Sequence, residues 1–151
     1  MRRWLWMLAA LLIISVFPSS GTELGELRPA ELLLLEMDGK HIRLSTDTED
    51  SGFSETLDGA LRDMSDTAPG HLFIDTVDIL VVTDDAEVLL PQLKELLRPG
   101  VRVCKTNAQI DPVSAAEYLR VHRPALALSD IENFNGLQRL TRMEERYNLE
   151  K

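Results

Sequence analysis

The residues best placed to do chemistry are Asp84 and Asp85, adjacent acids that close the stretch HLFIDTVDILVVTDD, 71–85. Paired aspartates at the outer end of a buried strand can hold Mg²⁺ and receive a phosphoryl group. Such a site also needs acids converging from other strand ends and a lysine or hydroxyl. Thr46-Asp47 and Lys105-Thr106-Asn107 are the other candidate strand ends. The simpler reading is local: Asp84 and Glu87 have the spacing of a helix capping box, the aspartate accepting from free amides and the glutamate reaching back. On that reading the pair finishes a strand and starts a helix.

The other reactive side chains do not assemble in the sequence. Asp75 and Asp78, on either side of Val77, read as an exposed strand edge ahead of the buried segment. His41, His71 and His122 are too scattered for a metal-ligand motif. His122 lies in RVHRP, a basic patch at a helix end, where cations suit the dipole. The lone cysteine, Cys104, sits in the strand-like VRVCKT and reads as a buried small hydrophobe. Metal-binding, nucleophile-elbow and phosphate-loop motifs are absent. These residues therefore assign no catalytic group, no metal and no cofactor.

The elements that would position Asp84 and Asp85 follow from periodicity. ELLLLEM, 31–37, is an apolar run of strand length, and KHIRLST, 40–46, alternates with Ile42 and Leu44 on one side. Asp38-Gly39 between them suits a hairpin turn. TDTEDSG, 46–52, reads as an acidic loop. Phe53, Leu57, Ala60, Leu61 and Met64 recur at helical spacing and predict a helix over 53–65, with Gly59 allowing close packing. Ile79–Val82 is apolar throughout, as in a strand covered on both faces. Leu89, Leu90, Leu93, Leu96 and Leu97 form a helical stripe that Pro91 restricts to a start near Leu90. Residues 101–107 read as a strand, and Asp111-Pro112 opens a helix over 112–121. Ser129 and Glu132 have capping-box spacing. Ile131, Phe134, Leu137, Leu140 and Met143 recur every third residue, predicting a last helix interrupted near Asn135-Gly136.

The expected fold is α/β (α+β): a mixed sheet of about four strands with helices on its faces, over 22–123, then a helical extension over 124–151. Residues 1–21 read as a leader. Arg2 and Arg3 precede the apolar run Trp4–Phe17, and Pro18-Ser19-Ser20-Gly21 follows. That pattern fits a secretory signal peptide or an uncleaved N-terminal anchor, and its arginines orient the following residues outward. No cysteine follows the run, which excludes lipid attachment there. The 151 residues carry a net charge of −9. Without the leader, which holds two arginines and no acid, the charge is more negative still, so phosphate backbones are poor partners.

Between residues 24 and 120 the chain resembles the N-terminal domain of the Ger(x)C spore-germination proteins, the C subunits of germinant receptors. The resemblance rests on AELLLLEMDGKHIRLSTDT as the opening strand pair, GFSETLDGALRDMSDTAPGHLF as the following helix, and VDILVVTDDA as the central strand. LPQLKELLRPGVRV and SAAEYL follow in the same order. The family's usual Gly-His before the central strand falls at Asp75-Thr76, and its turn glycine at Thr83. The resemblance implies a non-catalytic, extracytoplasmic protein on the outer face of the cytoplasmic (spore inner) membrane, contacting polytopic A- and B-like subunits. The candidate contact surface comprises Asp75, Asp78, Asp84, Asp85, the loop 46–52 and the stripe Leu137, Leu140, Met143. The alternatives are a solo secreted binding module and a Mg²⁺-dependent phosphoryl-transfer domain.

Overall fold

A computed structural model describes residues 27–143 and 146–150; the leader, residues 1–21, lies outside them. Strands β1 (Leu27–Pro29) and β5 (His71–Phe73) pair in parallel as a small separate sheet. The main sheet has seven strands: β2 (Leu32–Asp38), β3 (His41–Thr46), β4 (Ser51–Ser54), β6 (Ile79–Thr83), β7 (Arg102–Thr106), β8 (Arg139–Met143) and β9 (Arg146–Glu150). Their order is β4-β3-β2-β6-β7-β8-β9. The four central strands β2, β6, β7 and β8 run parallel, and antiparallel pairs finish both ends. The mixed sheet is as expected, but its strands outnumber the expected four.

The continuous apolar runs become strands because both faces are covered. Leu33, Leu35, Leu80, Val82 and Val103 face one core, beneath α1 (Leu57–Thr67) and α2 (Leu90–Leu96). Leu32, Leu34, Ile79, Val81 and Cys104 face the other, beneath α3 (Pro112–Val121). Among the described residues no helix is long and apolar enough to cross a membrane.

Several elements follow local rules. Asp38 and His41 pair across the β2–β3 hairpin, so Gly39 and Lys40 form its turn, one residue later than the Asp-Gly reading. Gly39 holds φ +63°, the conformation glycine adopts without a Cβ clash. Pro91 falls in the first turn of α2, after a 3₁₀ segment, Asp84–Leu89. Asp111 caps α3, its Oδ2 accepting from the Ser114 N–H at 3.1 Å.

Three expectations are corrected. The helix predicted over 53–65 begins at Leu57, behind Thr56, whose Oγ1 accepts from the Gly59 N–H. Residues 51–54 pair instead with β3, and Phe53 is exposed. Residues 27–30, ahead of the first expected strand, add β1 and the fully buried Ala30. The predicted last helix is two 3₁₀ turns, Leu128–Asp130 and Phe134–Gly136, followed by the β8–β9 hairpin. Ser129 does not cap; its Oγ donates to Asp130 Oδ1. The every-third spacing mixed two cores: Ile131, Phe134 and Leu137 join the first and Leu140 the second, on the opposite face. Open backbone groups on β7 favour strand there, with the Lys105 N–H donating to the Gln138 carbonyl at 2.9 Å.

Candidate functional site

The carboxyl ends of β2, β6 and β7 frame an open cleft of about 340 Å³, lined by Glu36, Met37, Thr83, Asp84, Asp85, Thr106, Asn107, Ala108 and Gln109. β6 ends at Thr83, whose Oγ1 accepts from the Met37 N–H at 3.1 Å and ties the ends of β2 and β6 together. Thr83 stands opposite Thr106, and Lys105 opposite Arg139. That register places two cations beside the first residue beyond β6. Arg139 Nη2 donates to Asp84 Oδ2 at 2.9 Å and to Oδ1 at 3.3 Å, and Lys105 Nζ lies 3.5 Å from Oδ1.

Asp84 is therefore no helix cap. The 3₁₀ segment starts without a side-chain cap, and the carboxylate bridges β6 to β7 and β8 instead. Both cations compete with any divalent ion for that carboxylate. The candidate hydroxyl is also committed, since Thr106 is fully buried, donates to the Leu140 carbonyl at 3.0 Å and accepts from the Ala108 N–H. Asp85 is exposed beside this bridge. Among the described residues no three His, Cys, Asp or Glu side chains are grouped to hold a metal ion.

The remaining candidates are dispersed. Asp75 lies in a 3₁₀ turn, Ile74–Thr76, rather than on a strand edge. Asp78, just before β6, is held by Arg98 at 2.8 Å, with Arg123 at 4.0 Å. With the Glu31–Arg120 pair at 2.7 Å, this forms a second charged cluster, at the amino ends of β2 and β6. In the expected acidic loop, Asp47 Oδ1 accepts from the Glu31 and Leu32 N–H groups, and Asp50 is buried. The Asp47 carboxylate thus fastens backbone, and Asp50 Oδ2 accepts from the Thr48 hydroxyl at 2.6 Å. Leu137 and Leu140 are buried, one in each core, and Met143 ends β8.

His41 stacks on Phe53 with ring centroids 4.9 Å apart, His122 contacts Tyr118, and His71 lies on β5. Cys104 is fully buried, and burial pushes its thiol pKa up to about 12, which keeps it protonated. Sequence reasoning missed Arg139, because its segment read as helix and its contact with Asp84 spans 55 positions. Compared with family models, curated proteins and solved structures, the chain has no match.

Proposed function

We propose that this protein is a non-catalytic component of an extracytoplasmic membrane complex of the germinant-receptor kind, acting through contact with other proteins. The observation that carries this reading is the fate of Asp84. The acid best placed for phosphoryl chemistry is held between Arg139 and Lys105 and serves to join three strands. The buried, protonated Cys104 and the dispersed histidines agree with a scaffold role. Residues 1–21 export the chain and, if retained, anchor it. The partners are polytopic A- and B-like subunits, and Asp75, Asp85 and the rim of the strand-end cleft are the exposed polar surface offered to them.

The test is affinity capture of the tagged full chain from membranes of sporulating cells, with the polytopic subunits expected in the eluate. Recovery of the chain from the medium without a membrane partner favours the secreted binding module. A melting temperature raised by Mg²⁺ or Mn²⁺, and no longer raised in Asp85→Asn, overturns the scaffold reading in favour of phosphoryl transfer.

A further inference from the structure

The two edges of the seven-stranded sheet are finished differently. At the β4 edge, α1 occupies backbone groups that a docking strand would use. The Phe53 N–H donates to Asp63 Oδ2 at 2.8 Å, and Thr67 Oγ1 donates to the Ser51 carbonyl at 3.2 Å. At the other edge, β9 pairs with β8 on one side, and among the described residues no strand pairs on its outer side. β9 contains no proline, and its two charged residues, Arg146 and Glu150, are of opposite sign.

The sequence of β9 is complementary to its own reversal. It reads Arg146-Tyr147-Asn148-Leu149-Glu150. Tyr147 and Leu149 are half-buried and pack toward α3, while Arg146, Asn148 and Glu150 are exposed. We propose that β9 is the interface of a symmetric dimer, pairing antiparallel with β9 of a second copy about a two-fold axis at Asn148. In that register each Arg146 stands opposite Glu150 of the other copy, and each Tyr147 opposite Leu149. Opposite charges align on one face of the joined sheet and apolar pairs on the other. Sliding by one residue swaps the faces, and sliding by two separates both charge pairs. Glu150 accepts from Asn148 Nδ2 through Oε1 at 3.2 Å, which holds its carboxylate over this strand. An open groove of about 400 Å³ between α3 and β9 is lined by Ser114, Glu117, Tyr118, Arg146 and Tyr147. This inference is independent of the membrane-partner reading, since it concerns two copies of this chain alone.

The test is sedimentation equilibrium of the full chain in a mild non-ionic detergent. The wild type is expected to dimerise. Arg146→Glu and Glu150→Arg, each of which sets like charges opposite one another twice, should each weaken the dimer by about tenfold or more. Mixing the two variants should restore it as a heterodimer, because every facing pair is then opposite in charge; a misfolded variant cannot be rescued this way. Asn148→Cys should form a disulfide-linked dimer under mild oxidation, and Ser51→Cys, on the sealed edge, should not. Cys104 is fully buried and does not compete. A wild type that stays monomeric, a dimer indifferent to both charge reversals, or equal cross-linking from Ser51→Cys overturns the proposal. So does capture of a foreign strand by β9 while the chain itself remains monomeric.

Discussion

Gly52 shows how little space separates α1 from the sheet. A Cβ added there would lie 2.0 Å from the Ala60 carbonyl oxygen and 2.6 Å from the Met64 nitrogen, both backbone atoms of the helix. Side chains can yield to such a clash, but a helix backbone must move as a body. Gly52→Ala should therefore destabilise the fold by about 1–3 kcal/mol, the usual range for overpacking. Gly100→Ala, where nothing lies within 4 Å, should change stability little. Urea denaturation of the two variants checks both. At this scale the sequence was partly legible. Cys104 is buried as its strand context suggested, and Ile42 and Leu44 share the inward side of β3. Asp84 was not legible, because an acid followed three residues later by Glu satisfies a capping rule wherever it stands. Only the position of Arg139 and Lys105 decides between cap and bridge.

At the scale of elements, α3 was the most readable because its start signal is entirely local. Asp111 accepts from the Ser114 N–H, its side chain also bonds the Ser114 hydroxyl, and Pro112 occupies the first turn. These hydrogen bonds from Ser114 hold the Asp111 pKa below the ordinary aspartate value. Asp111→Ala should cost about 1 kcal/mol at neutral pH, the typical loss for a helix cap. The sign of the pH dependence follows from linkage. A carboxyl with a depressed folded-state pKa contributes stability above its unfolded value, near 3.9, and loses it as pH falls through the folded value. The gap in urea midpoint between wild type and Asp111→Ala should thus be full at pH 7 and shrink below about pH 4. The 53–65 helix was half legible. Phe53 keeps helical spacing with Leu57, but Thr56 caps at 56 and the preceding residues pair with β3. The C-terminal helix was misread, since Leu137 and Leu140 fit a helical stripe by spacing yet pack on opposite faces of a sheet.

Across the whole molecule, pairing strength is uneven along the sheet. β6 joins β7 through five register pairs, Ile79↔Arg102 to Thr83↔Thr106. β7 joins β8 through one, Lys105↔Arg139, because residues 125–128 occupy the first half of that edge of β7. The β8–β9 hairpin is therefore expected to open before the centre. Amide hydrogen exchange should show early exchange in β8 and β9 and late exchange in β2 and β6; equal protection would contradict it. The sequence by itself determined the buried central strands, the opening hairpin, and the starts of α2 and α3. Apolar runs, Gly39, Pro91 and the Asp111-Pro112 cap act within a few residues of chain, so their consequences can be read locally. The tertiary structure alone decided that Asp84 is a bridge between strands, that residues 139–143 and 146–150 pair as strands, and that one sheet edge is sealed while the other, among the described residues, is open. Each depends on groups far apart in sequence meeting in space, and the energy of such a meeting is written in neither segment alone.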